Sequence, residues 1–149
     1  MTICAVALRR ALEAVMEAKR HAPTSDALLA DKTFPGTPEA VRLARCWAKE
    51  VFSLAGAEWA DVCELLVSEV ATNAIAHTDS PWFRVRILSS FHVEIWDASY
   101  ELPQRRQTTP ESEGGRGLEL LDLLSPDYQV VLCGQGKKVC FQPQGWIEP

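Results

Sequence analysis

Two short segments of the sequence carry residue types that could do chemistry together. The first runs from Glu69 to Asn73 and sets a carboxylate and a carboxamide four residues apart in a stretch patterned as a helix. At about 100° per residue this spacing brings both side chains to one face, one turn apart. The second runs from Gly114 to Gly117, where three glycines precede an apolar helix and expose backbone N–H groups to which a phosphate can bind. A carboxylate, a metal-seeking amide and a phosphate site in one small domain indicate ATP chemistry.

The length, charge and apolar runs of the sequence exclude several classes of protein. A chain of 149 residues is long enough for one domain with a hydrophobic core. Its formal net charge of −5 argues against a nucleic-acid partner. The apolar run before Arg9 and Arg10 has the wrong charge order for a secretory signal, and no run approaches the roughly 20 residues of a membrane helix. We therefore expect a cytoplasmic protein without a membrane partner.

The cysteines support the same expectation. Their number is odd and they are scattered along the chain, which is typical of small buried side chains in a reducing compartment. Neither a disulfide framework nor a zinc site needs such a spacing. The five residues are Cys4, Cys46, Cys63, Cys133 and Cys140.

Apolar periodicity predicts the helices that must position the polar groups. A first helix is predicted over residues 3–20, followed by a linker over 21–32. Thr37 and Pro38 indicate the cap and first turn of a second helix, which ends near Gly56. A third helix, from about Glu58 to Thr78, carries Glu69 and Asn73.

The second half of the chain has the alternating pattern of strands. One hairpin is predicted over residues 83–96, and a long loop over 98–113 precedes a short helix at 118–124. A last hairpin pairs the segment around Val130 with that around Val139 across a turn from Gly134 to Lys137. This order predicts an α+β fold, a two-layer α/β sandwich with a mixed, mostly antiparallel sheet and its helices on one face.

Five segments in this order carry a resemblance to a known family. They are FPGTPEAVRLAR from Phe34, SEVATNAIAH from Ser68, VEIWDAS from Val93, EGGRGLELLDLL from Glu113 and GKKVCF from Gly136. They resemble the Bergerat-fold ATP-binding domain of the GHKL superfamily of gyrases, heat-shock chaperones, histidine kinases and mismatch-repair ATPases. They look most like the small bacterial anti-sigma factors that are serine/threonine protein kinases. The resemblance covers roughly Phe34 to Gln142. The expected organisation is an N-terminal helical extension and linker over 1–33, an ATPase domain over 34–143 and a tail over 144–149.

The resemblance implies ATP and Mg²⁺ as cofactors and a role for three polar side chains. Asn73 would ligate Mg²⁺ through its amide oxygen. Glu69 would be the catalytic base that accepts the proton of an attacking serine hydroxyl. Asp97 would accept a hydrogen bond from the adenine amino group.

Four further residues would complete the nucleotide site by the same resemblance. Ser99 stands in the nucleotide pocket where the superfamily has the first glycine of its D-x-G-x-G segment. Gly115 and Gly117 would let the backbone close on the phosphates, and Arg116 would offset their charge. The loop over 98–113 would be the nucleotide lid.

Each of these residues also has an ordinary structural interpretation. The Glu69 and Asn73 pair could be a polar helix face, and Asp97 could be a residue that ends a strand and begins a turn. Gly114 and Gly115 could be a joint between a loop and a helix. His77 is interpreted as a helix-end residue rather than a catalyst.

The expected function is that of an ATP- and Mg²⁺-dependent serine kinase of the anti-sigma type. Its partners would be an antagonist protein that carries the acceptor serine, and a sigma factor. The alternative is a non-catalytic module that keeps the fold and the partner surface, since no glycine follows Asp97 closely and Lys137 and Lys138 replace the usual threonine after Gly136. The ATPase half of a histidine kinase is disfavoured, because no segment supplies a phosphoacceptor-histidine helix pair. Three roles remain open for residues 1–33: packing on the domain, mediating a homodimer, or remaining mobile.

Overall fold

The computed structural model of the chain describes residues 6–10, 12–14, 17, 26–76, 80–102 and 117–144. In these ranges the chain forms a five-stranded sheet and several helices. The strands are β1 (Leu28–Pro35), β2 (Trp82–Leu88), β3 (Val93–Asp97), β4 (Gln129–Cys133) and β5 (Gly136–Phe141). The described residues 6–10, 12–14 and 17 are helical and are called α1. The later helices are α2 (Pro38–Leu54), α3 (Ala60–Ala76) and α4 (Gly117–Leu124).

The strand order in the sheet is β1-β2-β3-β5-β4. Strands β2 and β3 form one hairpin and β4 and β5 form the other, and β5 lies antiparallel beside β3. The predicted α+β fold is confirmed. A mixed, mostly antiparallel sheet was expected, and every pairing of the described strands is antiparallel. The two hairpins impose antiparallel pairing within themselves, and the pairs β1–β2 and β3–β5 are antiparallel as well.

Among the elements in the described ranges, strand β1 is the one that the sequence pattern did not reveal. The prediction of a linker over residues 21–32 is wrong from Leu28 onward, because this segment pairs with β2 from Leu28 opposite Leu88 to Pro35 opposite Trp82. The register shifts between Leu28 and Ala30, so two adjacent residues, Leu29 and Ala30, are both buried. This irregularity removes the period-two alternation by which a strand is recognised.

Buried side chains from helices and strands form a single core cluster between the sheet and the helices. In this cluster Phe34 of β1 stacks on Phe83 of β2, with ring centroids 5.2 Å apart. Leu12 of α1 is 2% exposed and belongs to the same cluster. The first helix therefore packs on the domain, which was one of the three roles left open for it.

The cysteines of the described residues are free thiols in different environments. Cys63 is buried, Cys133 and Cys140 are partly exposed, and Cys46 is exposed. Burial raises the pKa of the Cys63 thiol strongly, which keeps it protonated. The expectation of buried cysteines is therefore wrong for Cys46, because its position on α2 lies outside the apolar stripe of that helix. Among the described residues, no helix has both the length and the apolar character needed to cross a membrane.

Helix α2 begins and ends as its sequence predicts. The Thr37 hydroxyl accepts a hydrogen bond from the Ala40 N–H at 3.2 Å, and Pro38 occupies the first turn. At the other end Gly56 has φ +69°, a conformation that favours glycine. Helix α3 begins at Ala60 rather than Glu58, because Trp59 has φ +68° and is not helical.

We expect Thr37→Ala to lower the free energy of unfolding by about 1 kcal/mol, because the Ala40 N–H loses its cap. Urea unfolding followed by circular dichroism measures this change. Thr37→Ser keeps a hydroxyl at the same place and should lose much less. Equal losses in the two variants would contradict a capping role.

Candidate functional site

Helix α3 carries Glu69 and Asn73 on one face, one turn apart, as the spacing predicts. Both residues are partly exposed and lie at the margin of the buried face of the helix. Helix α3 contacts α2, α4, β2 and β3. The buried residues that hold α3 in this position are Cys63, Leu66, Val67, Val70, Ala71 and Ala74. The two polar groups are therefore fixed on a rigid helix that packs against β3.

Asp97 is the last residue of β3 and lies on the helix side of the sheet. Its cross-strand neighbour in β5 is Lys137. The Lys137 Nζ donates a hydrogen bond to Asp97 Oδ1 at 3.0 Å and lies 2.9 Å from Oδ2 in an ion pair. The two side chains are only 4% and 2% exposed, respectively. The site thus contains a buried ion pair that the sequence analysis did not anticipate.

The turn after β3 fixes the Asp97 carboxylate further. The Ser99 N–H donates a hydrogen bond to Asp97 Oδ1 at 2.8 Å. This bond closes the type of turn that an aspartate commonly forms with the backbone two residues further on. The Ser99 hydroxyl accepts from the Glu101 N–H at 3.1 Å, and the Ala98 N–H donates to Ser80 Oγ at 2.9 Å. Asp97 is therefore a turn residue and also the partner of Lys137. Ser99 serves the local turn at the place where a glycine was expected.

Gly136 brings β5 close to the end of β3. It has φ +149°, and a Cβ at this position would lie 2.0 Å from the Asp97 carbonyl oxygen and 2.8 Å from Ala98 Cα. Only glycine fits there. The close approach places Lys137, the next residue, opposite Asp97.

The expectation that Gly136 and Lys137 belong to a turn is wrong, because both are in β5 and the turn is formed by Gly134 and Gln135. Lys137 is the site residue that sequence reasoning missed. Its spacing from Val139 and Phe141, both buried, places it on the inner face of the strand and could have identified it.

Lys138, the next residue, lies on the opposite face of the sheet. Its Nζ donates to Glu94 Oε2 at 2.9 Å and lies 4.9 Å from the centroid of the Trp96 ring. The hydrogen bond to Glu94 raises the pKa of Lys138, which keeps it charged. The two adjacent lysines therefore provide a natural comparison, one in the site and one outside it.

Of the remaining residues predicted for the site, Gly117 is described by the structure and the others are not. Gly117 is the first residue of α4, and α4 contacts α3. Gly115, Arg116 and His77 lie outside the described residues, as does most of the predicted lid over 98–113. The structure therefore packs α3 against both β3 and α4, and the phosphate contacts stay a prediction.

A comparison with protein families gives the class to which this fold and site belong. Residues 34–142 match the family model of the histidine kinase-like ATPase domain. The match covers well over half of the chain, and the chain belongs to this family. A comparison with curated proteins found no match.

Domains of this family bind ATP, usually with Mg²⁺, and the residues on α3 and β3 have the chemistry for this cofactor. Asn73 offers an uncharged oxygen of the kind that Mg²⁺ accepts alongside phosphate oxygens and water. Glu69 offers a carboxylate one turn away. Asp97 offers a hydrogen-bond acceptor whose position is fixed by the Ser99 N–H and the Lys137 ammonium. The side chains of Glu69, Asn73 and Asp97 thus have chemistry suited to a nucleotide with a bound Mg²⁺.

Proposed function

We propose that this protein is an ATP- and Mg²⁺-binding regulator of the anti-sigma type, acting in the cytoplasm as a protein-serine kinase. It would phosphorylate a serine of an antagonist protein and bind a sigma factor, so that the nucleotide state sets which partner is held. One observation carries this proposal. Glu69 and Asn73 share one face of α3, and this helix packs against both β3, which ends at Asp97, and α4, which begins at Gly117.

In this function each side chain has a separate task. Asp97 would hold the adenine, and Asn73 would hold Mg²⁺ together with the phosphates. Glu69 is partly exposed, so a serine hydroxyl of a partner could reach it and give up its proton there. Bound ATP would supply the phosphoryl group, while the rigid helix α3 keeps base and metal ligand in register.

A second candidate is a non-catalytic module of the same fold that binds a partner without phosphoryl transfer. Two observations favour it. The Asp97 carboxylate is already paired with the Lys137 ammonium, and Ser99 occupies the place of a glycine in the base pocket. Either feature could lower the affinity for a nucleotide while leaving the fold intact.

Phosphoryl transfer from γ-labelled radioactive ATP to an antagonist protein encoded beside this chain separates the two functions. The kinase proposal expects label on a serine of the antagonist and no label when that serine is replaced by alanine. Stable binding of the unmodified antagonist without any transfer would establish the non-catalytic alternative.

If Asn73 holds Mg²⁺, we expect Asn73→Ala to weaken ATP binding by about 10- to 100-fold in the presence of Mg²⁺, the usual loss for a contact to a charged group. In EDTA the variant and the wild type should bind ATP equally. Isothermal titration calorimetry under both conditions measures the difference. Thr72→Ala is a matched control, because Thr72 is an exposed neighbour on α3 whose hydroxyl donates to the Ser68 carbonyl of the same helix. Equal losses with and without Mg²⁺ would mean that Asn73 acts through the fold.

A further inference from the structure

The buried pair of Asp97 and Lys137 has a donor left over. An ammonium group carries three N–H donors. Within the described part of the chain, Lys137 Nζ has two polar contacts, a hydrogen bond to Asp97 Oδ1 and an ion-pair contact with Asp97 Oδ2. Even when each of these contacts uses one N–H, a third N–H remains. Since buried donors are nearly always paired, a group buried this deeply calls for one more acceptor.

The pair also presents two opposite hydrogen-bonding functions side by side. The Asp97 carboxylate accepts, and the Lys137 ammonium donates. The Watson–Crick edge of adenine presents the matching functions in adjacent positions, the 6-amino donor and the N1 acceptor. Reading of this edge by hydrogen bonds is how proteins commonly identify an isolated base.

We propose that Lys137 is a base-reading residue that donates its third N–H to N1 of adenine while Asp97 accepts from the 6-amino group. This assignment rests on the proposed function, since it requires that the protein bind ATP. It adds a specificity-determining residue to the proposed nucleotide site. In this arrangement the Asp97–Lys137 ion pair contributes to nucleotide binding instead of competing with it.

The Asp97 and Lys137 pair would also select adenine over guanine. Guanine carries an acceptor, O6, and a donor, N1–H, in the reverse order along the same edge. In the same orientation guanine would place O6 against the Asp97 carboxylate and N1–H against the Lys137 ammonium. Both contacts are repulsive, so the pair selects adenine at two positions rather than one.

The test compares the affinities of the wild-type chain for Mg·ATP and for Mg·1-deaza-ATP, in which a C–H group replaces N1. Competition against a fluorescent ATP analogue reports both affinities. We expect 1-deaza-ATP to bind about 10- to 100-fold more weakly, the loss expected for a hydrogen bond from a charged donor. The ligand 7-deaza-ATP, which loses a ring nitrogen away from this edge, should bind as ATP does.

Substitution of Lys137 tests whether its ammonium group causes the difference in affinity between the two ligands. Lys137→Met should bind ATP and 1-deaza-ATP with equal affinity, because the donor to N1 is gone. Lys138→Met should keep the full difference, because Lys138 lies on the other face of the sheet and bonds to Glu94. Circular dichroism verifies that each variant is folded.

The outcomes are distinguishable. A wild-type protein that binds ATP and 1-deaza-ATP equally would overturn the role of Lys137 and leave the proposed function standing. A wild-type protein that binds neither would overturn the proposed function and this assignment with it. The comparison of ligands on the wild-type chain needs no substitution, so it decides the matter even if Lys137→Met does not fold.

Discussion

Replacing Glu69 by glutamine is expected to slow phosphoryl transfer to the acceptor serine by about 10²–10⁴-fold, the usual contribution of a general base. Glutamine keeps the size of the side chain and its place on α3, but it cannot take up the hydroxyl proton. The affinity for Mg·ATP should hardly change, because the proposed contacts to nucleotide and metal come from other residues. Single-turnover transfer from labelled ATP measures the rate, and calorimetry measures the affinity.

The matched control for this experiment is Glu64→Gln. Glu64 is a partly exposed glutamate on the same helix, and its carboxylate lies 3.8 Å from Lys49 of α2, away from the proposed site. It should leave the transfer rate unchanged. A Glu69→Gln protein that transfers phosphate at the wild-type rate would exclude Glu69 as the base.

The second large effect concerns stability. Lys137→Met or Asp97→Leu alone should lower the free energy of unfolding by about 3–5 kcal/mol, because each leaves its partner as an unpaired buried charge. The double variant Asp97→Leu with Lys137→Met buries two apolar side chains instead and should recover most of that loss. Urea unfolding monitored by tryptophan fluorescence gives the three values.

The exposed ion pair of Asp31 and Arg84 is the control for the stability of the buried pair. Because water screens it, Asp31→Asn should cost at most about 1 kcal/mol. If the losses of the two single buried variants simply add in the double variant, Asp97 and Lys137 are not coupled and the buried pair does not hold β3 and β5 together.

The parts of this molecule that could be predicted from sequence are those set by local chemistry. Thr37 and Pro38 specify the start of α2 because the cap and its donor are three residues apart. Glu69 and Asn73 could be placed on one face because a single helix contains both. Strand β1 could not be predicted, because its bulge breaks the alternation of buried and exposed residues by which a strand is recognised.

Lys137 was missed for a different reason. Its partner, Asp97, is 40 residues away in the chain. The two meet only because β5, which pairs with the neighbouring strand β4 on one edge, also pairs with the distant strand β3 on its other edge. The glycines at 134 and 136 make the segment resemble a turn, although Gly136 serves to bring β5 against the Asp97 backbone. Contacts of this kind depend on sheet order, which local patterns do not encode.

The central claim is that this chain binds ATP through the face of α3 and the end of β3. Equilibrium binding of radiolabelled ATP to the 149-residue chain in Mg²⁺, with unlabelled ATP and GTP as competitors, tests it most directly. We predict saturable binding that ATP displaces at lower concentration than GTP, and that weakens when Asn73 is replaced by alanine. The absence of saturable binding at millimolar ATP, in a protein shown to be folded, would contradict the claim.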